Sequence, residues 1–218
     1  MTSFRHRDLT LRQLPELPPG NVSGEPCGRD TAPCLGLAAA VLEARDPEAT
    51  MVVLPADHLV SGEERFVSAL EAAARVAAGG RWLVTLGIAP TRPETGYGHI
   101  QFGRTVERVG GWEVREVRRF TEKPAAEQAL RFLASGDYLW NSGIFAWKAS
   151  LFRRLLAEYL PGLAAGLERV AATLAAAPGR AYLDVLRREY EAFEAISVDY
   201  GLLERAGEVV VIPADFGW

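Results

Sequence analysis

Apolar residues along this chain fall into two rhythms, short unbroken runs and longer stripes at helical spacing. The first run, Met51-Val52-Val53-Leu54, leads into Pro55, Ala56 and Asp57. A continuous run this short suits a strand buried on both faces in the middle of a parallel sheet. Pro55 cannot donate to a ladder and marks its end, so Asp57 falls just past the carboxyl end of a central strand, where open α/β sheets bind ligands. Ser61-Gly62-Glu63-Glu64 reads as a capping box for a helix with Phe66, Val67, Leu70, Ala74 and Ala77 on one face. Gly79-Gly80 ends that helix, and Trp82 to Ile88 is the next strand. Strand, helix, strand in this order predicts a right-handed crossover and a parallel pair.

Upstream, Leu9, Leu11 and Leu14 close a helix that Pro15, Pro18, Pro19 and Gly20 stop. Asp30 is an N-cap for a helix over Leu35 to Ala44, whose free N–H groups favour an anion or a polar ligand edge. Downstream, residues 90–98 hold two prolines and two glycines, a rigid loop in which Gly96 and Gly98 let a ligand approach the backbone. His99 to Gly103 and Glu113 to Phe120 read as strands, with a turn at Gly110-Gly111 between 104–109 and 112–120, followed by a helix over Ala125 to Ala134. Asn141 precedes a strand over Ile144 to Trp147 and needs polar partners there. Ser150 caps one helix, Pro161 starts another with Leu163, Leu167, Val170 and Leu174, and a helix opens at Ser197 and runs to Ala206. Val209 to Ile212 is the last strand. The pattern predicts an α/β fold with an inserted antiparallel section and helices late in the chain.

Composition narrows the partners. The chain has 218 residues and a net charge of −4, which argues against a basic nucleic-acid footprint. No apolar stretch is long enough to span a bilayer, and the polar N-terminus has no signal-like apolar core, so a cytoplasmic protein is expected. Cys27 and Cys34 have no further ligand residue near them and read as free thiols in a reducing compartment. Lys123 and Lys148 stand out as lysines in an arginine-rich chain. Asp57, the Gly96–Gly98 loop, Glu122-Lys123 and Asn141 all flank strands. A carboxylate for a metal, a lysine and backbone-exposing glycines are what phosphate chemistry uses. Mg²⁺ takes one or two carboxylates plus substrate phosphates. Glu122 beside Lys123 suits a phosphorylated sugar, the carboxylate accepting from hydroxyls and the ammonium facing phosphate. No Ser/His/Asp grouping or dinucleotide glycine fingerprint is evident.

Six motifs then occur in an order that resembles the mannose-1-phosphate guanylyltransferases of the nucleotidyltransferase superfamily. They are Leu54-Pro55-Ala56-Asp57-His58, Pro93-Glu94-Thr95-Gly96-Tyr97-Gly98, Phe120-Thr121-Glu122-Lys123-Pro124, Trp140-Asn141-Ser142-Gly143, Ser197-Val198-Asp199-Tyr200 and Phe216-Gly217-Trp218. The resemblance implies a Rossmann-like three-layer sheet, mostly parallel, and transfer of GMP from GTP to mannose 1-phosphate with release of pyrophosphate. It implies Asp57 as the Mg²⁺ ligand and, with Lys123 on phosphate, as the catalytic pair. Glu25, Pro26, Gly28 and Thr31 would line the guanine pocket. Gly96, Tyr97 and Gly98 would border the sugar, Glu122 and Asn141 would hold mannose hydroxyls, and Asp199 and Tyr200 would lie near the sugar. GTP and mannose 1-phosphate are the expected partners, with no nucleic acid or membrane, and a homo-oligomer is left open.

The family pattern also has a first strand with an arginine-bearing glycine-rich loop, a second metal-binding Asp and a C-terminal β-rich domain. None has a counterpart in this sequence, and Arg29 and Arg92 take no role from the comparison. Residues 1–218 are therefore expected to form a single, incomplete catalytic domain without the first βαβ unit. That domain would show no measurable turnover alone, an exposed apolar sheet edge and poor solubility. The alternative is a non-catalytic sugar-nucleotide-binding or regulatory homologue.

Overall fold

The computed structural model describes residues 1–176 and 179–218. They form two compact units, Met1–Pro47 with Phe152–Leu202 and Glu48–Leu151 with Leu203–Trp218.

The first unit is mainly helical. A parallel pair of two-residue strands, β1 (Thr2–Ser3) and β2 (Gly24–Glu25), flanks α1 (Phe4–Gln13) and a 3₁₀ turn at Pro19–Asn21. Asp30 opens α2 (Thr31–Arg45) as expected, its carboxylate accepting from Thr31 N at 2.7 Å. Gly36 of α2 lies so close to α6 (Pro161–Ala176) that a Cβ would sit 2.4 Å from Leu167 Cδ1. Most of α5 (Ala149–Tyr159) also belongs here. Ser150 falls inside its first turn and does not cap it. A polar helix that the hydrophobic pattern did not signal, α7 (Arg180–Ala192), buries Leu186, Glu189 and Tyr190. The segment opening at Ser197 becomes a π turn, Asp199–Leu203, in place of a helix to Ala206.

The second unit carries a six-stranded sheet in the order β3-β7-β4-β8-β6-β5. Its strands are β3 (Thr50–Val53), β4 (Leu83–Ile88), β5 (His99–Val109), β6 (Trp112–Thr121), β7 (Tyr138–Lys148) and β8 (Val209–Ala214). The sheet is mixed and not mostly parallel: β4–β8 is parallel, whereas β3–β7, β4–β7, β5–β6 and β6–β8 are antiparallel. β3 and β4 do not pair as the crossover argument predicted, because β7 lies between them. β3 is an edge strand and not a central one, with Val52 40% and Leu54 49% exposed. The expected apolar edge is therefore present. An unbroken apolar run signals burial of a strand's faces and says nothing of what pairs with its backbone.

The β5–β6 hairpin turns at Gly110 and Gly111, with φ of 59° and 84°. This is the two-residue positive-φ geometry whose twist matches the flanking strands. α3 (Glu63–Ala78) lays Ala69, Ala72, Ala73, Val76 and Ala77 against Val84, Leu86, Ile144, Ala146, Val210 and Ile212. Small side chains bring this helix close to the sheet. The expected capping box is absent: Gly62 precedes α3 at φ 74° with no side-chain cap. Ser61 instead exchanges backbone hydrogen bonds with Gly217 at 2.8 and 3.1 Å. A helix of ten residues, α4 (Ala126–Ser135), closes on Gly136 in the left-handed region. Among the described residues no helix is long and apolar enough to cross a membrane.

Gly87 provides a packing test. A Cβ there would meet Leu139 Cδ1 at 2.7 Å and Val211 Cγ2 at 2.8 Å. Overpacking of this kind costs about 1–3 kcal/mol, so Gly87→Ala lowers the urea midpoint. Gly162→Ala, with nothing within 4 Å, raises stability by about 0.4–1 kcal/mol through the unfolded chain. Equal effects from the two substitutions would contradict this packing.

Candidate functional site

β7 does not run evenly beside β4. Thr85 pairs with Phe145 and Gly87 with Asn141, two steps on β4 against four on β7. Side chains repair the break. Thr85 Oγ1 donates to Asn141 Oδ1 at 3.1 Å and to Ile144 O at 3.3 Å. Ser142 Oγ donates to Leu86 O at 2.7 Å and accepts from Ile144 N at 3.2 Å. Gly143, at φ 72°, donates its N–H to Asn141 Oδ1 at 3.2 Å. Asn141 therefore lies within β7, and its polar partners begin with this repair.

The same residue anchors the 90–98 loop, its N–H donating to Gly98 O at 2.8 Å. A Cβ on Gly98 would lie 2.5 Å from Glu122 Oε2 and 3.2 Å from Asn141 Cβ. Gly98, Glu122 and Asn141 are thus brought together, as the sequence suggested. Glu122 receives Lys123 Nζ at 3.7 Å, and the backbone N–H of Glu122 donates to Glu204 Oε1 at 3.0 Å. Lys123 holds φ 45°, a left-handed conformation that costs a non-glycine residue of order 1 kcal/mol.

Glu94 shapes the rest of the loop. Its carboxylate accepts from Gly96 N at 2.9 Å and from Arg92 at 2.9 Å. These bonds, the Gly96 amide first, hold its carboxyl below the usual range. His99 Nδ1 lies 3.0 Å from Tyr97 O, which can only accept, so the proton sits on Nδ1. Burial pulls the pKa of His99 down, keeping it neutral.

Asp57 is exposed and opens onto a cavity of about 230 Å³ that it lines with His58, Arg92, Tyr97, Trp140 and Trp218. Tyr97 meets Trp140 and Trp218 edge-on at 5.5 and 5.2 Å, and the Arg92 guanidinium lies over Trp140 at 5.2 Å. Trp140 Nε1 is buried without a protein acceptor. Trp218 Nε1 donates to His58 Nδ1 at 3.1 Å. Trp218 itself is held by the Ser61–Gly217 bonds and by Arg65, which grips Asp215 at 2.6 Å. Arg92, Trp140 and Trp218 were not singled out as site residues by sequence. Their aromatic and cationic character was visible, but not their convergence on Asp57. Among the described residues no three His, Cys, Asp or Glu side chains gather as a metal site. Asp57 offers one accessible carboxylate, the minimum that a magnesium ion sharing substrate phosphates requires.

The nucleotide-side candidates lie in the first unit. Glu25 ends β2 with Oε1 buried and unpartnered. Burial raises its pKa, with Cys34 and Tyr190 hydrogen bonds partly opposing, and the same burial pushes Cys34 up to about 12. Arg29 donates to Tyr190 O at 2.7 Å and to Glu191 O at 2.8 Å. Thr31 Oγ1 accepts from Val198 N at 2.8 Å, which gives Thr31 a structural task next to Asp199. Asp30 is strained at φ 64°, ψ −167°. Gly28 is exposed, with open space where a Cβ would point, so packing does not require glycine there. Pro26 is half-buried beside it.

Two outcomes follow from this geometry. A carboxyl whose folded pKa is raised adds stability below its unfolded pKa and loses it as pH rises through the folded value. The stability difference between Glu25→Gln and the parent therefore shifts toward the variant between pH 4 and 8, measured by thermal unfolding; a pH-independent difference would contradict the burial. Trp218→Phe removes one hydrogen bond, worth about 0.5–1.5 kcal/mol. It also shifts the His58 ring nitrogens in ¹⁵N NMR, whereas an unchanged spectrum would show that the indole does not fix the imidazole.

Comparison with known proteins agrees with the fold. A family model described as nucleotidyl transferase matches residues 6–172. The mannose-1-phosphate guanylyltransferase ManC of Salmonella typhimurium is 42% identical over 98% of this chain and 45% of its own length. The mannose-1-phosphate guanylyltransferase of Escherichia coli K12 is 41% identical over the same shares. The chain thus spans about half the length of these relatives. A crystal structure titled mannose-1-phosphate geranyltransferase, from Thermus thermophilus, superposes with a TM-score of 0.75 at 34% identity, over 97% of this chain and 64% of that one. A Helicobacter pylori structure titled mannose-6-phosphate isomerase superposes at 0.78 with 24% identity, over 99% and 82%, and supports the fold alone. With its α/β architecture, mixed sheet and ordered motifs, the chain belongs to the nucleotidyl transferase family.

Proposed function

We propose that residues 1–218 contribute the sugar and metal-binding part of a nucleotidyltransferase that transfers GMP from GTP to mannose 1-phosphate, giving GDP-mannose and pyrophosphate, and that this stretch alone binds the sugar nucleotide without measurable turnover. The observation that carries this reading is the joining of Gly98, Glu122 and Asn141 beside a loop whose Tyr97 lines one cavity with Asp57. Such an arrangement offers sugar hydroxyls a backbone donor and a carboxylate, and it keeps a second carboxylate accessible for a cation. The names of the relatives, mannose-1-phosphate guanylyltransferases, supply the sugar and the base.

In this reading the phosphate oxygen of mannose 1-phosphate attacks the α-phosphorus of GTP in line and pyrophosphate departs. Positioning and charge neutralisation carry most such transfers. Asp57 holds a divalent ion, read as Mg²⁺, which when bound neutralises phosphate charge. Glu122 accepts from mannose hydroxyls, and Gly98 presents backbone where any larger residue would strike Glu122. Lys123, whose ammonium lies 3.7 Å from Glu122 Oε1, supplies a point charge for phosphate. Glu25, Pro26, Gly28 and Thr31 are the residues proposed for guanine, and Asp199 for the sugar.

Calorimetric titration tests this with the chain itself. GDP-mannose binds in magnesium buffer at least tenfold more tightly than UDP-glucose. A hydrogen bond to a charged group contributes about 1.5–3 kcal/mol, so Glu122→Gln weakens GDP-mannose roughly ten- to a hundredfold. Asp57→Ala removes the magnesium dependence. Equal affinity for UDP-glucose, or unchanged binding by Glu122→Gln, would overturn the assignment.

A further inference from the structure

The first unit contains a second cavity, independent of the nucleotidyl-transfer reading. It has a volume of about 500 Å³ and lies among α1, α2, β2 and α7. That volume is within the range of small-molecule sites, about 300–1,000 Å³. Its walls are apolar, built by Phe4, Val22, Val41 and Leu186, and Leu183 stands at the opening, 39% exposed. Phe4 is fixed against Gly24, where a Cβ would come within 2.5 Å of its ring.

Three arginines, Arg7, Arg45 and Arg187, line this cavity, and among the described residues no carboxylate does. Arg7 donates to Val22 O at 3.1 Å and to Pro19 O at 3.2 Å, and the carboxylate it meets is that of the exposed Asp8, 3.9 Å away. Arg45 donates to Gly20 O at 2.8 Å and to Asn21 Oδ1 at 3.1 Å. These acceptors are neutral, so they orient the guanidiniums without cancelling their charge. Arg187 lies 5.9 Å from the Phe4 ring, and neither it nor Arg45 makes an ion pair among the described residues. In a chain of net charge −4, three cations around one apolar opening form a local positive field. A guanidinium in partly apolar surroundings binds carboxylate or phosphate through short charge-assisted hydrogen bonds.

We propose that this cavity binds a small amphipathic anion, its apolar body against Phe4, Val41 and Leu186 and its carboxylate or phosphate head at Arg45 and Arg187. The cavity's apolar walls favour the body, and the uncancelled charge selects the sign of the head.

The test compares two fluorescent probes of similar shape on the purified chain. One is the anion 8-anilinonaphthalene-1-sulfonate and the other is neutral N-phenyl-1-naphthylamine. The anionic probe binds at one site per chain. Arg187→Gln raises its Kd at least fivefold and leaves the neutral probe within twofold, and Arg187→Lys restores most of the loss. Leu183→Glu, at a position 39% exposed, abolishes binding of both. Dodecanoate or dodecyl phosphate displaces the probe and dodecanol does not, and the tighter of the two anions identifies the head group. The proposal is overturned if Arg187→Gln leaves the anionic probe unchanged, if folded Leu183→Glu binds like the parent, or if dodecanol displaces as well as the anions. It is equally overturned if the parent is a dimer that Leu183→Glu splits on a sizing column, which would make this opening a subunit interface.

Discussion

The second unit depends on an interrupted strand. Tyr138–Lys148 pairs with β5 through its first residues, with β4 on both sides of the break, and with β3 through its last residues. The extra residues at 141–144 shift the register, and Asn141, Ser142 and Thr85 supply the hydrogen bonds that the backbone ladder forgoes. A buried polar group left unmade costs about 1–3 kcal/mol, so these side chains are as much part of the sheet as its backbone. The break also places Asn141 against Gly98 and, across Gly98, against Glu122. Fold and site therefore rest on the same few bonds.

In each unit the chain accepts local strain where ligand chemistry is proposed. Lys123 and Asp30 are the described non-glycine residues at positive φ. Each directly adjoins or precedes a candidate binding residue, Glu122 in one case and Thr31 in the other. Strained backbone persists only where its surroundings over-determine it. Here the restraints are visible: Glu204 on the amide of Glu122, and Ile196 and Val198 on the loop of Arg29 and Thr31. The Glu25 carboxyl shows the same economy in another form, buried with one oxygen unsatisfied.

Much of this was legible in the sequence. The glycine pair at 110–111 and the Asp30 cap behave as their local chemistry predicts, and Gly98, Glu122 and Asn141 stand together. Helix α3 forms where expected but turns Ala69, Ala72, Ala73 and Val76 inward and leaves Val67 exposed, so its face was not legible. Strand neighbours were not legible. The run Met51–Leu54 carries the composition of a central parallel strand yet lies at an edge, because pairing is decided by distant segments, here β7. Helix α7 was hidden by its polar residues. Glu189 is buried in it only because Arg169 and Arg188 neutralise it at 2.6 and 2.9 Å, and no local pattern announces such a partnership. Nor did spacing reveal that Trp218, 160 residues beyond His58, would hold that imidazole.

The central claim is that the Asp57 carboxylate and the Gly98–Glu122–Asn141 group address one ligand. A crystal structure of the chain with GDP-mannose and Mn²⁺, read in an anomalous difference map, tests it most directly. The account predicts a manganese peak on the Asp57 carboxylate shared with the ligand's phosphates, and mannose hydroxyls on Glu122. Manganese bound elsewhere, or mannose seated away from Glu122 with Asp57 facing solvent, would contradict it.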